Sequence, residues 1–310
     1  ILIVNMKAFA LNKMIEIEHK NILEVNLENL LANIFEFNFD KGKIIKNITY
    51  KSIDKIKLKS DIYIPTLNHN LNNKKNPVII YIHGGSFIRG DKKELLEIKP
   101  LLKAFLTRGW SVVSINYRLI NTSSNFPDNI QDVKDAVRWV RKNAEKYNFN
   151  PDKIGLLGHS AGGNLALLAG LSSDNKFYGN DELKPYSSKV NFIISWAGPT
   201  KLYDTEKFEL RKNIISFLSE NKFNKNLLKK ASPINYLQKN QPPILMVHGT
   251  EDLFVPYSQS ELFYNKATEK QLDCMLIKIK GAGHTLRLSY LPIIENLEPD
   301  ILDFINKYGF

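Results

Sequence analysis

Only one cysteine, Cys274, occurs in the 310 residues, so no disulfide can form within the chain, and the cross-linked frameworks of secreted mini-proteins are excluded. It lies in the apolar run Cys274-Met275-Leu276-Ile277 with no acid or base beside it, which reads as a buried, inert thiol rather than a nucleophile. Long hydrophobic runs are missing too. Stretches such as Val78 to Ile82 fall far short of the roughly 20 apolar residues that cross a bilayer, so no transmembrane helix is expected. Internal repeats and low-complexity linkers are absent. The six histidines show neither His-Glu-x-x-His nor Cys/His ligand spacing, so no metal and no cofactor are expected.

What is present is the composition of a globular protein, 43% hydrophobic and 24% charged, at a length that α/β architectures reach as one domain. The formal charge of +11 raises nucleic acid as a partner, but its distribution argues otherwise. There are 36 Lys against 7 Arg, with 33 Asn, as an A/T-rich coding sequence would give. The lysines are scattered, as at Lys55, Lys57 and Lys59 or Lys229 and Lys230, rather than gathered with aromatics into one stripe. A solvated surface is the expectation, with no nucleic-acid partner. Ile1-Leu2-Ile3-Val4 opens the chain in place of a Met, which fits a trimmed segment. The expected location is cytoplasmic, with secretion the alternative if such a segment was removed.

Along the chain, residues 1–43 read as an N-terminal extension with helical patches, and residues 44–310 as one domain. Ile44 to Lys51 and Lys55 to Ile64 resemble an antiparallel edge. The polar bridge from Asn68 to Asn76 reads as a loop. From Pro77, short apolar runs alternate with amphipathic helices, the pattern of a mostly parallel sheet covered on both faces. The runs are Val78–Ile82, Ser111–Tyr117, Ile154–Leu157, Val190–Trp196, Ile244–Val247 and Met275–Ile279. The helices expected between and after them are Glu94–Arg108, Pro127–Lys146, Ala161–Leu171, Pro256–Glu269 and Leu291–Lys307. Asp132, Val133, Ala136, Val137 and Val140 have the spacing of one buried face. Residues 199–232 break the alternation, and a small cap over the site is expected there.

Gly158-His159-Ser160-Ala161-Gly162-Gly163 follows a strand and opens an Ala/Leu-rich helix. Glycines on both sides of a serine let a tight strand-to-helix turn hold its hydroxyl out at the sheet edge, at a helix N-terminus that favours negative charge. Ser160 is therefore the candidate nucleophile. The first parallel strand ends in His83-Gly84-Gly85-Ser86, where the N–H groups of Gly84 and Gly85 would converge with that of Ala161 as an oxyanion hole. His83 reads as a structural histidine that orients this loop. Two later strands end in His248-Gly249-Thr250-Glu251-Asp252 and Gly281-Ala282-Gly283-His284. Asp252 and His284 then follow Ser160 in the order Ser, Asp, His, with Glu251 and Asp204 the competing carboxylates. Arg118 and Asp132 are read as a supporting pair.

These motifs, with Gly90-Asp91-Lys92, Asn116-Tyr117-Arg118-Leu119 and Val255-Pro256, resemble the esterase/lipase branch of the α/β-hydrolases over about Ile44 to Phe310. The likeness is greatest to carboxylesterases and to deacylases of the feruloyl and acetylxylan esterase type, with hormone-sensitive-lipase relatives nearby. Ser86, where that lipase group usually has a third glycine, and Asn116, where aspartate is common, favour the smaller esterases. The resemblance implies a serine esterase with a Ser160-His284-Asp252 triad acting on a small-molecule or acylated-carbohydrate ester. Short acyl chains are expected, because residues 199–232 are rich in Lys and Asn rather than in long apolar runs. An amide-bond hydrolase of the arylformamidase type on the same triad, and a binding protein that kept the fold, are the alternatives.

Overall fold

A computed structural model describes residues 13–18, 42–66, 75–120, 124–203, 225–284 and 291–308. Among these residues nine strands form one sheet: β1 (Lys13–Glu18), β2 (Gly42–Ile53), β3 (Ile56–Pro65), β4 (Asn76–Ile82), β5 (Ser111–Ile115), β6 (Phe149–His159), β7 (Phe192–Trp196), β8 (Ile244–Gly249) and β9 (Cys274–Lys280). Their spatial order is β1-β9-β8-β7-β6-β4-β5-β3-β2. β2 pairs antiparallel with β3 and β3 with β5; every other neighbouring pair is parallel. The main helices are α1 (Lys99–Thr107), α2 (Asp128–Lys142), α3 (Ala161–Leu171), α4 (Ser258–Glu269) and α5 (Leu291–Lys307).

The central strands carry continuous Val/Ile/Leu runs because helices cover both faces. On one face Ile80, Leu156 and Met246 pack with α2, α3 and α4; on the other Ile79, Leu157 and Val247 pack with α1 and α5. Helix α3 is buried almost all round, so its sequence is apolar on every side rather than striped. No helix among the described residues is long and apolar enough to cross a membrane. Cys274 is buried, and that burial pushes its thiol well above the usual range, as the inert reading required.

Two expectations are corrected. The extension was read as helical patches outside the domain, yet Lys13–Glu18 is a strand of the sheet, parallel to β9 with Ile15 opposite Ile277. Its Glu16 meets Lys278 at 2.9 Å, a charged edge of the kind that discourages further strand pairing. The helix expected over Glu94–Arg108 begins instead as a 3-10 turn over Lys92–Ile98, capped by Asp91 and Glu94, before Pro100 opens α1. Residues 204–224, most of the expected cap, and most of the Asn68 to Asn76 bridge lie outside the described residues.

Asp132 and Asp135 are fully buried on α2 because cations meet them. Arg118 grips Asp132 through Nε and Nη2, both at 2.8 Å, and Lys51 of β2 lies 2.7 Å from each carboxylate. Arg138 reaches Asp135 at 3.1 Å. The Arg118–Asp132 pair is thus no exposed surface pair but part of a network that fastens the antiparallel edge to the parallel core. Lys51→Met leaves two adjacent carboxylates with less countercharge, and breaking a buried pair in this way costs about 3–5 kcal/mol. Urea unfolding is expected to show that loss; a change below about 1 kcal/mol would mean Arg118 and Arg138 suffice alone.

Candidate active site

The site is built where strands end. Ser160 follows β6 with φ 54° and ψ −118°, a conformation that L-residues rarely adopt. Backbone contact enforces it. A Cβ on Gly158 would lie 2.1 Å from the Gly162 carbonyl oxygen, and one on Gly162 would lie 2.0 Å from that of Ile82. The Ser160 N–H donates to the Trp196 carbonyl at 2.8 Å, which ties the turn to β7. Its side chain is thereby held at the first turn of α3.

His284, four residues beyond β9, places Nε2 2.9 Å from Ser160 Oγ. Its Nδ1 lies 2.6 Å from Asp252 Oδ2, three residues beyond β8. Asp252 Oδ1 accepts from the N–H groups of Phe254 (2.9 Å) and Val255 (2.8 Å). Burial alone would raise the Asp252 pKa, but hydrogen bonds from His248 and His284 outweigh it and hold the carboxyl well below its usual range. Ser160, Asp252 and His284 are thus brought together. Glu251 is exposed, and Asp204 lies outside the described residues.

The loop after β4 lies against the elbow, with the Gly84 Cβ position 3.4 Å from the Ser160 Cβ. Glu94 accepts from the backbone N–H of Asp91 at 3.2 Å, which closes the turn after this loop. Among the described residues, no hydrogen bond occupies the N–H of Gly85, Ser86 or Ala161. Ser86, with φ 55°, is a donor position that the sequence reading passed over. His83 does orient this loop. Its ring stacks on Tyr117 at 4.3 Å, its Nδ1 meets the Gly84 carbonyl at 2.8 Å, and the Tyr117 hydroxyl donates to the His83 carbonyl. Asn116 joins the same support: its Oδ1 accepts from Lys92 N–H at 2.7 Å, and its Nδ2 donates to Asp91.

Two more histidines, given no role in the sequence reading, face the site. His159 Nε2 donates to the backbone carbonyl of His284 at 2.9 Å, and His248 Nε2 lies 3.1 Å from Asp252 Oδ2. The signal was present, since each sits inside a quoted motif. What was missing was the knowledge that these rings turn inward.

The strand order, the strained elbow and the three side chains meeting at the carboxyl end of the sheet define an α/β-hydrolase. The chain belongs to the BD-FAE family, which it matches over residues 60–267. It is 28% identical over 218 residues to "Esterase LipC" of Mycobacterium tuberculosis, covering 68% of this chain and 53% of that protein. To "Esterase LipQ" of the same organism it is 34% identical over 198 residues, covering 61% and 45%. The chain spans about half the length of these curated relatives. Among solved structures, a truncated carbohydrate esterase from gut microbiota superposes with TM-score 0.71 at 29% identity, over 86% of this chain and 96% of that one. The apo form of Thermogutta terrifontis esterase 2 gives TM-score 0.71 at 25% identity, over 89% and 98%.

Burial lowers the pKa of His83 from 6.5 to about 4, and burial with the nearby His284 lowers that of His159 to about 3. Both rings stay neutral in the folded protein while their unfolded counterparts take up protons below pH 6.5. Stability is therefore complete above pH 6.5 and falls as the pH drops towards about 4, ahead of carboxylate protonation. Urea midpoints measured from pH 7.5 to 4.5 are expected to decline accordingly. A flat profile would show that these rings protonate without unfolding.

Proposed function

We propose that the protein hydrolyses carboxylic esters through an acyl-enzyme on Ser160, with His284 as general base and Asp252 as the carboxylate that orients it. The observation that carries this reading is the unbroken path from Ser160 Oγ through both nitrogens of His284 to Asp252. A serine hydroxyl is a poor nucleophile near neutral pH until a base removes its proton. Here Oγ donates to His284 Nε2 while Nδ1–H donates to Asp252, so the ring presents the correct lone pair.

As Oγ bonds to the ester carbon, its proton passes to Nε2 and the carbonyl oxygen becomes an anion. The N–H groups of Gly84, Gly85 and Ala161, with that of Ser86 beside them, supply the donors for that charge, with the first turn of α3 adding its dipole. The carbon–oxygen bond to the alcohol then breaks, and the leaving alkoxide takes the proton from Nε2. Water repeats the sequence on the acyl-enzyme, releasing the acid and restoring Ser160. Exposed Leu253 and Phe254, which directly follow Asp252, and Ile88 beside the oxyanion loop give the entrance an apolar rim. The Phe254 ring lies 5.5 Å from that of His284. An ester of a small molecule or of an acylated carbohydrate fits these surroundings, and relatives named as esterases support the class.

A fluorophosphonate probe is expected to label the protein at Ser160, and Ser160→Ala to abolish both labelling and turnover in a folded protein. Because the three groups share one step, Ser160→Ala combined with His284→Ala should be as inactive as either alone. Absence of labelling in folded wild type would favour a binding protein. Near-normal turnover in Asp252→Asn would exclude Asp252 as the orienting acid.

The composition of residues 199–232 supports a short acyl pocket. Among p-nitrophenyl esters of graded length, acetyl to butyryl are expected to give the highest kcat/KM. A maximum at long chains with activation at an oil–water interface would contradict this, and faster cleavage of N-formylkynurenine than of any ester would favour the amide-bond alternative.

A further inference from the structure

Asp252 serves two histidines. Its Oδ2 is met by His284 Nδ1 at 2.6 Å and by His248 Nε2 at 3.1 Å, while both backbone N–H donors fall on Oδ1. A carboxylate accepts about four hydrogen bonds, so the set is complete only with His248. That ring is fully buried on β8, and its Nε2 faces two acceptors, Asp252 Oδ2 and the Val255 carbonyl at 2.8 Å. Nε2 must therefore carry a hydrogen. On the other side, Nδ1 lies 2.7 Å from the buried Ser260 hydroxyl of α4, which donates to it in the neutral ring and fixes that tautomer.

We infer that His248, oriented by Ser260, is a positioning residue for the triad: its hydrogen bond to Asp252 locks the carboxylate and sets how strongly that carboxylate holds the proton of His284. A continuous chain then runs from Ser260 through His248, Asp252 and His284 to Ser160. The inference rests on the hydrolase reading for its catalytic meaning, but the coupling itself is a property of the folded chain. Sharing one carboxylate oxygen between two donors makes it less basic than one donor would, so the imidazolium of His284 is stabilised less. Removing the His248 donor concentrates the carboxylate on His284 and strengthens its hold on that ring's proton. The other groups around this centre do not mimic that change. Among the described residues, the side chains facing His284 are Asp252, Ser160, Phe254 and the neutral His159, whose ring centre lies 5.1 Å away. Those facing His248 are Asp252, Ser260 and the edge of Tyr257, whose phenol burial pushes up to about 12.

The test is a histidine NMR titration of the whole chain from pH 5 to 9, with the His284 signal assigned by its loss in His284→Gln. In His248→Leu the His284 midpoint is expected to rise by roughly half a unit to one unit. His248→Gln, which keeps a donor near the Nε2 position, should return it close to wild type. Ser260→Ala, which leaves the ring in place but removes the hydroxyl that holds it from the Nδ1 side, should move it in the same direction by less. It also keeps the test alive should the leucine variant fail to fold. Where turnover is measured on p-nitrophenyl acetate, the acidic limb of kcat should shift with the midpoint, and kcat in His248→Leu should fall about ten- to a hundredfold with little change in KM. A purely structural role would lower thermal stability without moving the midpoint. An unmoved midpoint in both His248→Leu and Ser260→Ala, or a glutamine variant displaced as far as the leucine one, would overturn the inference. The titration needs no turnover, so wild type that titrates as expected but cleaves no ester would sink the hydrolase reading alone.

Discussion

Backbone-on-backbone contact at the elbow is the constraint on which the rest depends. β6, α3 and the end of β4 approach so closely at Gly158 and Gly162 that neither position has room for a methyl group. Positive φ at Ser160 follows from that crossing, and so does the placing of its side chain at the first turn of α3. Such a conformation persists only where the surroundings over-determine it. They do so here: Leu165, Ala166, Leu167 and Leu168 are fully buried, so α3 cannot shift to relax the turn without opening the core.

The same packing decides where charge can be kept. Asp252 and the Asp132–Asp135 pair are both removed from water, and each is held by several donors rather than by one ion pair. In a buried setting an unpaired carboxylate is costly, so each is fixed in position by the geometry of its donors. At Asp252 that fixity is passed to His284. At Asp132 and Asp135 it joins α2 to β2, on the side of the sheet remote from β9.

Much of this was legible in the sequence, and what was not has physical reasons. Strands β4 to β9 announced themselves as apolar runs because both of their faces are covered, and the glycines around Ser160 announced a turn that few other residues permit. β1 escaped because an edge strand needs only one paired side, and Lys13-Met14-Ile15-Glu16 has too short an alternation to stand out from a helix. The Ser86 N–H was passed over for a different reason: sequence shows that two glycines end a strand but not which N–H groups the turn beyond them presents. His159 and His248 were quoted within motifs and given no role, because the direction of a ring is decided by tertiary contacts.

That last omission bears on how the site works. All four histidines among the described residues, His83, His159, His248 and His284, lie at or beside the carboxyl ends of neighbouring strands. Burial keeps His83 and His159 neutral, so they give directional hydrogen bonds without adding positive charge near His284. A lysine or arginine in either place would orient a carbonyl equally well, yet its charge would oppose the imidazolium that the proposed mechanism forms on His284. Neutral rings avoid that opposition. In the proposed mechanism the developing charge on His284 meets one fixed counterion among the described residues, Asp252, so the base can take its proton without rearrangement of the charges around it.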